Sequence, residues 1–189
     1  MIYLLRHGFD TDDFKSGWSE VGLSDLGIEQ IKAVGEYLKK NKLRINKIVS
    51  SDLRRAKETT EIIQTALKLD VEYDSSLREF NPGILSGMSY DDIAEKFPEF
   101  KVGNIDMQRP FPEGESPVEF YGRVKGCMNR FENHTLYITH RLVIEAMYHK
   151  AKVMEWDINQ KMFPIEHGSL HQYGKATIKK LSIQDKKSM

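Results

Sequence analysis

The chain has 189 residues, with 28 Lys and Arg against 28 Asp and Glu, so its formal net charge is zero; 40% of its residues are hydrophobic and 30% are charged. That length fits one domain with its own core, and the composition excludes wholesale disorder. Zero net charge excludes a general attraction to nucleic acid or anionic lipid, so no nucleic-acid or membrane partner is expected and any anion site must be a local basic cluster. The single cysteine, Cys127, excludes an internal disulfide and fits a reducing compartment. The apolar run Ile2 to Leu5 is too short for a signal-peptide core, and no stretch approaches the length of a membrane span. The expected location is the cytoplasm.

In chain order, Ile2 to Leu5 reads as a buried strand. Ser24 is placed to cap a helix running to about Lys40, with Ile31, Val34 and Leu38 on one face. Asn46 to Ser50 reads as a second strand. A helix starting near Asp52 follows, with the stripe Leu53, Ala56, Thr60, Ile63 and Leu67. Val71 to Tyr73 is a short strand. Residues 80–115 are irregular and carry Pro82, Pro98, Pro110 and Pro112, with one short helix around Tyr90 to Lys96. They are expected to form a small lid-like insertion within a single domain spanning 1–183. Ser116 to Phe131 reads as a helix, Thr135 to Thr139 as a third clear strand, and a helix follows to about Lys150. Gly168 to Tyr173 and Thr177 to Ile183 read as a hairpin turned at Gly174, and 184–189 as a frayed tail. Strands separated by helices predict a mostly parallel sheet covered on both faces, an α/β three-layer α/β/α sandwich.

In such sheets, ligands bind beyond the carboxyl ends of the strands. Arg6, His7 and Gly8 directly follow the first strand. Ser50, Ser51 and Asp52 close the second, with Arg54 and Arg55 in the next helical turn. His140 and Arg141 follow the third clear strand, and Arg78 and Glu79 lie just beyond Tyr73. Two histidines, several arginines and a carboxylate thus gather at one sheet edge of a neutral chain. Arg offers a planar fork of donors matched to phosphate oxygens. A neutral imidazole beside such a clamp can attack phosphorus, a second imidazolium can steady the charge, and a carboxylic acid can protonate a leaving alkoxide.

Arg6-His7-Gly8 after an N-terminal strand resembles the signature of the histidine phosphatase superfamily, the phosphoglycerate mutase-like fold. Leu23-Ser24-Asp25-Leu26-Gly27 is similar to that family's Leu-Ser/Thr-x-x-Gly helix start. Ser51-Asp52-Leu53-Arg54-Arg55-Ala56 with Thr59-Thr60 resembles its Ser-Asp-Leu-x-Arg-Ala-x-x-Thr segment. Leu77-Arg78-Glu79 with Gly83 and Gly87, then Gly114-Glu115-Ser116 with Arg123-Val124, and finally His140, match in the expected order. The resemblance implies that His7 is the nucleophile that becomes phosphorylated. It implies that Arg6 and Arg55 bind the phosphoryl group, with Gly8 beside them. His140 would complete the phosphate pocket and Glu79 would be the general acid and base, with no metal or organic cofactor. The implied activity is a phosphatase acting on phosphate monoesters, with a small phosphorylated metabolite or a phosphoprotein as substrate.

The chain departs from that pattern in places. Asp13 stands where the family has an Asn near the phosphate, and either repels the dianion or points elsewhere. Arg141 replaces a usual Gly and either adds an anionic contact or turns outward. These departures keep a weakly active phosphate-recognition module as an alternative. A cofactor-dependent-type phosphoglycerate mutase is another; mutases carry a long insertion before the second histidine, whereas only 53 positions separate Gly87 from His140 here. Arg54 and Arg78 read as solvated or salt-bridging residues. His167 and His171, four apart, lack acidic or Cys partners and read as structural. Cys127 falls on an apolar helix stripe and has no Arg six residues on, so it reads as buried core.

Overall fold

The computed structural model describes residues 1–174 and 177–183. Six strands form one sheet in the order β3-β2-β4-β1-β5-β6. They are β1 (Ile2–Arg6), β2 (Lys47–Ser50), β3 (Val71–Tyr73), β4 (Thr135–Thr139), β5 (Leu170–Gly174) and β6 (Thr177–Leu181). β1, β2, β3 and β4 pair in parallel, whereas β5 pairs antiparallel with both β1 and β6. The mostly parallel sheet read from the sequence is therefore present, and β5 is the strand that runs against the others. The turn of the terminal hairpin and the proposed frayed tail at 184–189 lie outside the described residues.

Side chains alternate across the central strands and feed two cores. Tyr3, Leu5, Leu136 and Ile138 face one cluster with Ile31, Val34 and Leu38 of α1 (Asp25–Lys40) and Ala56 and Ile63 of α2 (Arg54–Leu67). Leu4 and Tyr137 face the other, with Phe120 and Val124 of α4 (Pro117–Met128) and Val143, Ile144 and Met147 of α5 (Arg141–Ala151). This is the three-layer arrangement, with period-2 strands between period-3.6 helices. Phe80, Phe100 and Phe111 are buried in the second cluster, and Met88, Phe97 and Met107 pack on it. The aromatic residues of 80–115 are thus local core. The short helix α3 (Tyr90–Lys96) lies within this segment.

Helix ends follow capping chemistry. Ser24 accepts a hydrogen bond from the Gly27 amide at 3.1 Å, and Lys39 and Lys40 sit at the negative end of α1. Ser116 and Glu119 form a reciprocal capping box ahead of α4, with Pro117 in its first turn. α2 begins at Arg54, two residues later than the sequence implies. The Asp52 carboxylate is taken by the Arg78 fork, with both contacts at 2.6 Å, so it is not available as a cap. α4 ends at Met128, because Phe131 turns away to stack on Tyr137 at a 3.9 Å ring separation. Among the described residues, no helix is long and apolar enough to cross a membrane.

Candidate active site

The strand register decides what meets what. Arg6 lies opposite Thr139 and Ser50 opposite Ile138, so the residues just past these strand ends, His7, His140 and Ser51, become neighbours. Arg55, in the first turn of α2, is carried to the same place. Antiparallel β5 adds a second contribution. With Leu5 opposite Leu170, the chain ahead of β5 runs alongside the chain after β1. The Arg6 amide donates to the Ser169 carbonyl at 3.1 Å and the Gly168 amide to the His7 carbonyl at 3.0 Å. His167 is thereby set beside His7, their rings 5.4 Å apart. A cleft of about 500 Å³ opens there, with Arg6, His7, Arg55 and Glu79 on its wall.

His7 is buried, and its Nδ1 lies 2.8 Å from the Gly8 carbonyl. A carbonyl only accepts, so Nδ1 carries the proton and Nε2 holds the free lone pair. That Nε2 accepts from Arg55 Nε at 3.3 Å. Burial, then the charges of Arg55, His140 and Arg6, hold the His7 imidazole well below its ordinary value, with Asp10 opposing them. His7 is therefore uncharged near neutral pH, the form a nucleophile needs. His140 stands with its ring 5.0 Å from that of His7 and its Nε2 2.8 Å from Ser51 Oγ. Burial, then Arg55 and Arg6, hold it well below the ordinary value too. Arg6 Nε, Arg55 Nη1 and His140 Nδ1 are buried and have no partner among the described residues. Buried polar groups are normally paired. Three unpaired ones around one nucleophile fit an anion with several acceptor oxygens.

Glu79 is held from both ends. Its Oε1 accepts from the Phe80 amide at 2.9 Å and its Oε2 from the Leu142 amide at 3.3 Å. Its carbonyl accepts from Trp18 Nε1 at 2.8 Å and Arg123 Nη2 at 3.2 Å. Arg123 also donates to the Ser76 and Arg78 carbonyls and pairs with Glu115 at 2.6 Å. The Glu115 and Arg123 matches thus do scaffold work, fixing the loop that presents Glu79.

The structure brings Arg6, His7, Arg55, Glu79 and Arg141 together on the cleft wall. His140 lies one layer further in, fully buried. Gly8 differs from the expectation. It is off the cleft wall, its amide donates to Thr59 Oγ1 at 3.2 Å, and an added Cβ would meet the Gly27 carbonyl oxygen at 2.5 Å. Its lack of a side chain serves the close packing of the β1 loop on α1. Asp13 is exposed, accepts from Thr11 Oγ1, and is not part of the cleft wall. Arg54 pairs with Glu58 and Arg78 with Asp52, as salt-bridging residues do. His171 is structural: it bonds Tyr148 and Ser169, both at 2.8 Å.

His167 and Asp10 are the residues the sequence reading missed. Asp10 is buried, 3.2 Å from His167 Nε2 and 3.5 Å from Arg55 Nε. Burial pushes its carboxyl up. Hydrogen bonds from His167 and Ser16 and the charges of His7 and Arg55 outweigh that and hold it below the usual carboxylate range. His167 Nε2 is also 2.5 Å from Arg6 Nη2. One nitrogen cannot accept from Arg6 and donate to Asp10 at once, so the His167 proton decides which partner it holds. Recognising β5 as the antiparallel neighbour of β1 would have placed His167 here.

His7, Asp10 and His167 have ligand atoms within 4.8 Å of one another, a donor set known for metals. Both histidine nitrogens, however, already face guanidinium groups. A dication bound there would meet the charges of Arg6 and Arg55 as well as the Asp10 carboxylate.

The buried histidines give a pH prediction. Their folded values lie below the ordinary 6.5, His171 at about 4 by burial and the Lys180 charge. As pH falls through about 6.5, the unfolded chain takes protons the folded protein refuses, so stability falls with acidification. The thermal midpoint of the ligand-free protein should drop steadily from pH 7 to pH 4.5. A midpoint flat across that range in a melting series would contradict the assigned neutral histidines.

Comparison with known proteins agrees with this geometry. A family model described as "Histidine phosphatase superfamily (branch 1)" matches residues 2–178. "Probable phosphoglycerate mutase GpmB" of Escherichia coli O1:K1 / APEC is 34% identical over 132 residues, 67% of this chain and 60% of that protein. The same-named protein of Salmonella arizonae matches equally. The chain thus spans about 60% of the length of these curated relatives. Among solved structures, a putative alpha-ribazole-5'-P phosphatase from Escherichia coli K-12 superposes with a TM-score of 0.79 at 22% identity, covering 95% of this chain and 94% of that one. Mycobacterial glucosyl-3-phosphoglycerate phosphatase Rv2419c with VO3 gives 0.74 at 22% identity, covering 95% of both chains. These structures establish a shared fold.

Proposed function

The chain belongs to the histidine phosphatase superfamily, and from that premise we propose that it hydrolyses phosphate monoesters through a phosphohistidine on His7. The observation that carries the reading is the set of buried, unpartnered Arg6 Nε, Arg55 Nη1 and His140 Nδ1 on the residues that surround His7, whose lone-pair nitrogen Nε2 faces Arg55. In the first step His7 Nε2 attacks phosphorus and the ester oxygen leaves. The Nδ1–H bond to the Gly8 carbonyl steadies the imidazolium that forms. Arg6 and Arg55 carry the charge on the equatorial oxygens, and His140, uncharged when the site is free, takes up a proton as the dianion arrives. Glu79 gives its proton to the leaving oxygen. In the second step it takes one from water, which attacks phosphorus and frees His7.

Metal independence, a cytoplasmic location and a small phosphorylated metabolite as substrate belong to this reading. Para-nitrophenyl phosphate should be hydrolysed equally with and without EDTA. Inhibition by EDTA that added metal reverses would overturn the metal-free mechanism. Glu79→Gln should lose about 10²-fold or more on alkyl phosphates, whose leaving groups need a proton, and far less on aryl phosphates. Equal losses on both would remove Glu79 from the acid role. The mutase reading is favoured by the names of the curated relatives. It predicts transfer to a second hydroxyl rather than to water, so release of inorganic phosphate from alkyl esters decides against it.

A further inference from the structure

Beyond the phosphate clamp, the same cleft carries a second group of cations that the proposed chemistry does not use. Lys15 comes from the loop after β1, Arg141 from the first turn of α5, and Lys161 from the loop before β5; all three line the wall. Each is held in place by its own framework. The Lys15 backbone is pinned on both sides: its amide donates to the Met88 carbonyl at 2.9 Å, and its carbonyl accepts from the Gly87 amide at 2.8 Å. Glu145 is fully buried and serves the other two. Its Oε2 lies 3.8 Å from Arg141 Nη1, and its Oε1 accepts from the Met162 amide, next to Lys161, at 2.9 Å.

Asp10, Asp12, Glu79 and Glu166 share the cleft wall, but among the described residues none of them forms an ion pair with these three cations. Among the described residues, no carboxylate forms an ion pair with Lys15 or Lys161. Arg141 has only the long contact to Glu145, and Glu166, an acid on the same wall, is paired with Lys180. Lys15 shares the cleft wall with the other two and feels both of their charges. Burial holds Lys15 below the usual lysine range; Glu79 lifts it, and Arg141 and Lys161 press it further down. Like charges gathered in a cleft, two of them with no ion-paired carboxylate, cost free energy that an arriving anion relieves.

We propose that Lys15, Arg141 and Lys161 form a second anion subsite, selecting phosphate monoesters that carry a further carboxylate or phosphate group. This rests on the phosphatase reading and narrows its substrate class. A neutral alcohol or sugar at that position leaves the cations unpaired and is selected against.

Matched substrates test it on the full-length protein. 3-Phosphoglycerate and glycerol 3-phosphate differ by a carboxylate against a hydroxymethyl group. Fructose 1,6-bisphosphate and fructose 6-phosphate differ by a second phosphate. For at least one pair, kcat/KM should favour the more anionic member by about tenfold or more, the gain of one charge-assisted contact. The pair that shows it tells carboxylate from phosphate. Lys161 is exposed, so its replacement does not threaten the fold. Lys161→Glu should bring that ratio close to one, Lys15→Ala should lower it severalfold, and Lys161→Arg should keep it. Ratios near one for both pairs in the wild type, or unmoved by Lys161→Glu, would overturn the subsite while leaving the phosphatase intact. If no ester, para-nitrophenyl phosphate included, is turned over, the phosphatase reading fails. Calorimetric titration of the same pairs then decides the subsite alone: tighter binding of the more anionic member upholds it and equal affinities overturn it.

Discussion

Replacing His7 with Ala is expected to lower turnover by about 10⁴-fold or more on every phosphate ester, with the fold intact. The size follows from the role. Of the two histidines on the cleft wall, only His7 turns its Nε2 toward Arg55, whereas His167 Nε2 lies between Arg6 and Asp10. The fold survives because the His7 side chain bonds only its neighbouring Gly8 carbonyl and Arg55. The strand pairing that places residue 7 is made by backbone, through the His7 amide to the Thr139 carbonyl at 3.0 Å and the Gly168 amide to the His7 carbonyl at 3.0 Å. Kinetics and a thermal melt on one preparation check both halves. Activity within tenfold of the wild type would remove His7 from the chemistry.

Arg55 should behave differently, because it is structural and functional at once. Arg55 and Asp10 are almost wholly buried, 1% and 3% exposed, with Nε 3.5 Å from Oδ2. Arg55 Nη2 also donates to the Gly17 carbonyl at 2.7 Å, holding the loop that contains Lys15 and Ser16. Arg55→Ala leaves the Asp10 carboxylate buried without its cation, a loss of about 3–5 kcal/mol. For a chain of this length that is on the order of a 10 °C fall in thermal midpoint, along with lost activity. Arg55→Lys keeps the charge beside Asp10 but not the fork. It should melt near the wild type and raise KM for phosphate esters by about tenfold or more. An Arg55→Ala protein that melts like the wild type would contradict the buried pair. An Arg55→Lys protein with unchanged KM would contradict the role of the Arg55 guanidinium in holding the phosphoryl group.

What the sequence disclosed divides along a physical line. His7, Arg55 and His140 were legible because each directly follows a strand or opens a helix, and parallel strand ends converge at one edge. β1 and β4 stood out as apolar runs because both faces of the central sheet are covered. Asp10 and His167 were not legible. Their meeting depends on the antiparallel pairing of β5 with β1, a contact between residues 157 positions apart that no local pattern encodes. Gly8 and Gly27 belong to the same class. Their motif positions were visible, but an added Cβ at Gly27 would meet the Phe9 carbonyl oxygen at 2.1 Å, and that reason appears only once the β1 loop lies on α1. At Asp13 the position alone leaves two readings, repulsion of the dianion or a side chain held elsewhere; the side chain bonds Thr11 and is not on the cleft wall.

The most direct test of the central claim is to trap the covalent intermediate. The protein is mixed with a rapidly hydrolysed aryl phosphate, quenched in alkali where a phosphohistidine persists, and the peptide containing residue 7 is analysed by mass spectrometry. The account predicts one phosphoryl group per chain, on His7, absent from the His7→Ala protein and lost on acidification. Steady hydrolysis with no phosphoryl group on His7, or one on another residue, would contradict it.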